Sequence, residues 1–243
     1  GQLQTAANAY VAPEKRDAAR AQVADAMWAL AQAAEAGSDS QFQFVQALAS
    51  SAATPAQWEI VRQVRAGELA LNGLDIDTDL SWQLLVALAA GGAVTAAEID
   101  SALAADNTAK GGELAAQAKA ALPSVAAKQL AWDSLIDTDE QPNTIVRATA
   151  AGFTHPATVA QQAEFVGAYF DMLLPIWGAR TYQIAQYLIV GLYPAPMANT
   201  VLRDATHAWL TENADAPAAL RRLVNENVAT VERALRVQER DAR

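Results

Sequence analysis

The sequence predicts an all-α protein, an α-solenoid of about twelve antiparallel helices stacked as HEAT- or armadillo-like hairpins, in a single helical domain covering 1–243. Three observations predict it. Apolar residues recur at three- and four-residue spacing, and no segment sustains the alternation of a half-buried strand. Alanine, the best helix former and a poor core filler, makes up about a quarter of the chain. Caps and stops punctuate the chain at short but irregular intervals, which fits a degenerate stack better than a tetratricopeptide or ankyrin array. A compact bundle of the same helices is the competing architecture.

The elements follow in order. Pro13, Glu14 and Lys15 open a long helix whose inward stripe reads Ala19, Val23, Met27 and Leu30, with Gly37 and Ser38 stopping it. A helix over 39–52 turns Phe42, Val45 and Leu48 or Ala49 inward. Thr54-Pro55 then starts one with Trp58, Val61 and Val64. Thr78 is the expected cap of a helix whose stripe is Leu80, Leu84, Leu85 and Leu88, ended by Gly91-Gly92. Thr95 caps a short helix with Ile99 and Leu103, and Thr108 or Lys110 opens another that runs to Leu122. Pro123 and Ser124 begin a helix with Val125, Leu130, Trp132 and Leu135, and Asn143 or Thr144 opens a short one ending at Gly152.

The stretch from Phe165 to Tyr193 holds 7 of the 16 aromatic residues and reads as the centre of the core. Pro175 predicts a break there, giving an antiparallel pair over 157–173 and 176–191. Beyond Pro194 and Pro196 lies a helix through Val201, Leu202, Ala205 and Trp209. The last helix carries Leu220, Leu223, Val224, Val228, Val231 and Leu235. Trp132, Phe170, Trp177 and Trp209 are expected to be buried.

The net charge of −10 repels phosphate backbones, so nucleic acid is not an expected partner. Nothing approaches the ~18 consecutive apolar residues of a membrane span, no secretory signal is present, and no membrane association is expected. The absence of cysteine removes disulfides and thiolate chemistry, fits a reducing compartment, and sets a cytoplasmic expectation. The start at Gly1 rather than methionine reads as a piece of a longer chain.

No catalytic or metal-ligating set emerges. His155 precedes a proline in a turn and reads as a surface residue; His207 and Glu212 lie on different helix faces. Asp75, Asp77 and Asp79 open like a calcium loop, but Leu80 and Val86 occupy its glycine and closing glutamate positions. Asp137, Asp139 and Glu140 fail at Pro142. Arg221, Arg222, Arg233, Arg236, Arg240 and Arg243, interleaved with Glu226, Glu232 and Glu239, read as a solvated face, with Glu232 and Arg236 as an i,i+4 pair. Arg180, between Trp177 and Tyr182, needs a carboxylate or aromatic partner. It reads as an ion pair with Asp171 or as an anion receptor.

The order of segments carries a resemblance. GLDIDTDLSWQLLVALAAGG (73–92), EIDSALAADNTAKGGELAAQAKAALP (98–123), KQLAWDSL (128–135), GFTHP (152–156), AYFDMLLPIWGARTYQIAQYLIVGLYP (168–194), HAWL (207–210) and LRRLVNENVATVERALR (220–236) follow one another. Together they resemble the C-terminal helical domain of bacterial aminopeptidase N, in the zinc gluzincin aminopeptidase family related to the endoplasmic-reticulum aminopeptidases. The resemblance runs from about residue 37 and is weakest in the alanine-rich stretch before it.

The resemblance implies a non-catalytic part of an enzyme that removes N-terminal residues from peptides. The zinc and all catalytic motifs would lie upstream, so the chain alone is expected to be inactive and to bind no cofactor. Its implied partners are the catalytic domain of the same polypeptide, over which it would close the substrate chamber, and the peptide substrate. Arg180 and Tyr182 are the residues expected to contact the peptide tail. A freestanding scaffold binding proteins through a concave face is the alternative.

Overall fold

The computed structural model describes residues 2–138 and 141–242, so Gly1, Asp139, Glu140 and Arg243, including the acidic-loop and basic-face positions among them, lie outside the described residues. All the regular structure among those residues is helical. Helix α1 (Gln2–Thr5) runs into a π-helical turn (Ala6–Tyr10). There follow α2 (Arg16–Ala33), α3 (Asp39–Ser51), α4 (Pro55–Ala66), α5 (Thr78–Ala90), α6 (Ala96–Ala105), α7 (Ala109–Ala121) and α8 (Val125–Ile136). The second half holds α9 (Asn143–Phe153), α10 (Val159–Gln162), α11 (Val166–Ala179), α12 (Tyr182–Gly191), α13 (Thr200–Glu212) and α14 (Ala218–Asp241).

Most starts are fixed by a side chain that accepts a backbone N–H three residues on, at Ser38, Thr54, Asp77, Thr95, Thr108, Ser124, Thr181 and Asn199. Thr54 with Gln57 and Thr95 with Glu98 form reciprocal capping boxes. At α5 the cap is Asp77, accepting from the Leu80 N–H at 2.7 Å, and Thr78 is the first helical residue.

The helices pack in two rows. One runs α3, α5, α7, α9, α12, α14, each touching the next; α2, α4, α6, α8, α11 and α13 lie against that row from the other side. This is the expected solenoid, and it curls far enough for its ends to meet. The Gln238 amide donates to the Ala9 carbonyl at 2.8 Å, and the Asp241 carboxylate accepts from the Ala12 N–H at 3.0 Å and pairs with Lys15.

Two apolar cores fill the stack. The N-terminal core gathers Ala24, Met27, Val45, Leu48, Val61, Leu80, Trp82, Leu84, Leu85, Leu88, Ile99, Ala115 and Ala118. The C-terminal core gathers Trp132, Leu135, Phe153, Phe165, Tyr169, Leu173, Leu188, Tyr193, Trp209, Leu220, Val224 and Val231. Helix α7 serves both, and α9 comes very close to it: a Cβ on Gly152 would lie 2.1 Å from the Gln117 carbonyl oxygen.

Several expectations need correction. Helix α11 continues through Pro175, and the break falls at Arg180, whose extended backbone precedes the Thr181 cap. Pro175 cannot bond the Asp171 carbonyl. Asp171, Leu174, Pro175 and Gly178 all face solvent, where water can satisfy that acceptor. In α2 the inward face is Arg20, Ala24, Met27 and Ala31, which leaves Leu30 exposed. Val125, Leu130 and Val201 are exposed as well. Trp132 and Trp209 are buried as expected, but Phe170 and Trp177 are only partly buried; the fully buried aromatic of their helix, α11, is Tyr169.

Candidate functional site

Three adjoining recesses, of about 640, 230 and 700 Å³, lie along the α3–α5–α7–α9–α12 row. The first two share Gln46, Ser50 and Gln83, and the second shares Gln117 with the third. Successive helices thus present Gln46 on α3, Gln83 on α5, Gln117 on α7 and Gln186 on α12 to one continuous groove. The Gln46 amide donates to the Gln83 side-chain oxygen.

The groove is poor in acid for a chain of net charge −10. His155 lines its middle. Burial, and then the positive charges of Arg20 and Lys128, push its pKa down to about 4, so it is neutral at pH 7. Its Nδ1 accepts from the Ala157 N–H at 3.2 Å, so the expected surface histidine is in fact half-buried and caps a turn. At the far end Glu113 is paired with Lys110 at 3.3 Å, and the Arg147 guanidinium lies 5.4 Å over the Tyr187 ring. Primary amides both donate and accept, which matches the backbone of an extended polypeptide without reading its side chains. An arginine steadied on an aromatic face offers a fork for a carboxylate.

Arg180 and Tyr182 face different neighbours. The Arg180 Nη2 donates to the carbonyls of Ile136 at 2.8 Å and Thr138 at 2.6 Å, and so satisfies the C-terminal end of α8. Asp171, its expected partner, is exposed; both line a recess of about 590 Å³ with Trp132 and Pro175. Tyr182 is 49% exposed, lies edge-on to Trp177 at 5.7 Å, and its hydroxyl accepts from Arg222 at 3.3 Å. Arg221, expected on a solvated face, donates to the carbonyls of Leu210 and Asn213 at the end of α13. Glu232 reaches His207 on α13 at 2.9 Å rather than Arg236.

The family model for the ERAP1-like C-terminal domain matches residues 1–233. The chain belongs to that family. This ERAP1-like C-terminal domain is also 39% identical over 241 residues to "Aminopeptidase N" of Streptomyces lividans, a match covering 99% of the chain and 28% of that relative. The chain therefore spans little more than a quarter of the relative's length, in its C-terminal part. Both matches extend through the first 36 residues, so the likeness does not begin near residue 37 as the motifs alone indicate. Alanine-rich helices keep few distinctive side chains, which is why that stretch is hard to place by motif.

Zinc does not fit this ERAP1-like domain. Among the described residues no three His, Cys, Asp or Glu side chains are grouped to hold a metal ion; His207 has Glu232 beside it, but no third ligand joins the pair. No helix among them is long and apolar enough to cross a membrane. The glutamine groove is what sequence reasoning missed. Its residues are spread over α3, α5, α7 and α12, and each alone is an ordinary polar position on an amphipathic helix.

Proposed function

We propose that this ERAP1-like domain is the non-catalytic C-terminal part of a zinc-dependent aminopeptidase that removes N-terminal residues from peptides. The observation that carries the reading is the likeness to Aminopeptidase N across 99% of the chain. The metal and the reaction belong to the catalytic domain of the same polypeptide, and the whole works in a reducing compartment, the cytoplasm. The domain closes the substrate chamber with its groove turned inward, and the glutamine amides receive the backbone of the peptide's distal part.

Two receptors are available for the tail carboxylate: Arg147 over Tyr187 within the groove, and Arg180 with Tyr182 outside it. Of the two, Arg147 is the more exposed, whereas Arg180 already holds the Ile136 and Thr138 carbonyls at and just beyond the end of α8. The test uses the full-length enzyme with matched peptides that end in a free carboxylate or an amide. Arg147→Ala is expected to lower turnover of the free acids several-fold, to spare the amides, and to leave melting unchanged. Arg180→Ala is expected to lower melting by several degrees and to act on both substrate classes alike. The reverse pattern assigns the tail to Arg180 and Tyr182. If neither variant separates acids from amides, the tail does not reach this domain.

A further inference from the structure

Arg16 and Arg20 stand one turn apart on α2, where the curled solenoid brings α2, the end of α3 and the turns around His155 and Pro196 together. Arg20 is 7% exposed. Its Nη2 donates to the Ala52 carbonyl at 3.3 Å, but its Nε is buried without a partner. Arg16 donates from Nη1 to the Pro196 carbonyl at 3.3 Å, and its Nε and Nη2 are both buried without a partner. Beside Ala52, the buried Ser51 hydroxyl also lacks one.

These donors carry charge. A guanidinium stays protonated at any ordinary pH, so each unmade bond leaves a desolvation cost uncompensated. Like charges at i,i+4 repel. Burial depresses the proton affinity of both arginines, and Arg16 depresses that of Arg20 further; the acid acting on them, Asp17, lies on the exposed face of α2. His155 lies near enough to feel the charge of Arg20. Among the described residues Asp17 is the acid whose charge acts on these arginines, and it hydrogen-bonds to neither. The missing component is negative, and its natural shape is the planar or tetrahedral oxyanion that a pair of arginine forks accepts.

We propose that Arg16 and Arg20 form a binding site for one oxyanion, a carboxylate or an inorganic phosphate or sulfate, supplied from outside this chain. The anion accepts from Nε and Nη2 of Arg16 and from Nε of Arg20. Neither arginine lines the groove, so the site is independent of the function proposed there, although His155 stands beside both site and groove. Two sources offer this chemistry: a free inorganic anion, and an acidic side chain of another polypeptide segment.

The test is thermal melting of the 243-residue chain in phosphate, sulfate or acetate against sodium chloride at matched ionic strength. A saturable rise of about 3–6 °C is expected when the anion reaches about ten times its Kd. Arg16→Gln combined with Arg20→Met is expected to abolish the rise and to melt no lower than the unsubstituted chain without anion, because the unpaired charges are gone. A second measurement needs no variant. In NMR titrations the His155 imidazole is expected to shift to higher pH when phosphate is present, since the anion offsets the field of Arg20. Action by phosphate and sulfate identifies a free inorganic anion, and action by acetate alone identifies a carboxylate side chain. If no anion moves either the melting or the His155 titration beyond chloride, or the double variant keeps the rise, the site does not exist.

Discussion

The two cores solve the same packing problem with different materials. In the N-terminal half the largest fully buried side chains are leucines and Ile99, Trp82 is the buried aromatic, and alanines let the helices close on one another. In the C-terminal half Trp132, Phe153 and Phe165 meet in a triangle with centroids 5.2–5.7 Å apart, and Tyr169 packs on Phe170 and Tyr193. Large aromatics bring polar atoms inside, and here those atoms are paired. The Tyr169 hydroxyl donates to the Ile189 carbonyl at 2.8 Å, and the Asn227 amide donates to both, at 3.1 and 3.0 Å.

The buried cations repeat the contrast. Lys128, on the aromatic side, donates to the carbonyls of Ala120 at 2.6 Å and Gly152 at 3.2 Å and lies over the Phe153 ring. Arg16 and Arg20, on the small-residue side, keep orphaned nitrogens. The difference teaches that the bulky core surrounds its buried cation with carbonyl and ring partners, whereas close backbone approach leaves little room to build partners for a charge.

The sharpest way to break the comparison is at Tyr169. Tyr169→Ala is expected to cost about 3–5 kcal/mol in a denaturant titration, the usual range for emptying a buried aromatic site. Tyr169→Phe should cost only about 1 kcal/mol, because Asn227 still holds the Ile189 carbonyl. Equal losses would show that the hydroxyl network, not the ring, organises the C-terminal core.

Lys128 gives the next largest effect, read as a pH slope. Burial lowers its pKa from 10.5 to about 7. Below about pH 7 both folded and unfolded chains hold the proton, and the cost of burying it is full. Between there and 10.5 the unfolded chain holds a proton that the folded one has released, so stability rises with pH. Relative to Lys128→Met, the native chain should gain up to roughly 1.4 kcal/mol per pH unit in that window. Parallel pH profiles would mean that the ammonium keeps its proton through its two carbonyl bonds.

Trp82→Phe is the smallest of the three. It removes the indole bond to the Asp106 carboxylate, 2.7 Å long, while keeping most of the apolar volume, for about 1–2 kcal/mol by thermal melting. A loss as large as that of Tyr169→Ala would erase the distinction between the two halves.

Much of this was legible in the chain itself, for physical reasons. The Leu80, Leu84, Leu85, Leu88 stripe and the stripe of the last helix are strong periodic signals, and hydroxyl caps announce themselves by residue type. The break near Pro175 was misread because a proline's effect depends on which face its missing donor points to, and sequence does not give the face. In α2 the apolar count favoured the Val23 and Leu30 side; packing chose the alanine side and took Arg20 in with it, since small residues allow closer approach. The groove was illegible because it is a property of the stacking: Gln46, Gln83, Gln117 and Gln186 become one surface only when their helices align. Lys128 and His155 look like surface residues until the turns around Gly152 enclose them.

The meeting of α14 with the first residues has a mechanical consequence. An open helical array is a spring; its pitch and curvature yield to small forces because its ends move freely. Here the ends are latched by Gln238 on the Ala9 carbonyl and by Asp241 on Ala12 and Lys15. A latched coil behaves as a hoop, so a load on one helix is shared around the stack and its curvature is held. The clasp itself is a few exposed or part-buried polar bonds between residues 9–15 and 238–241, far weaker than either core. Bending stiffness in this helical stack is therefore set where α14 meets the first residues, and cutting those few bonds would return the hoop to a spring.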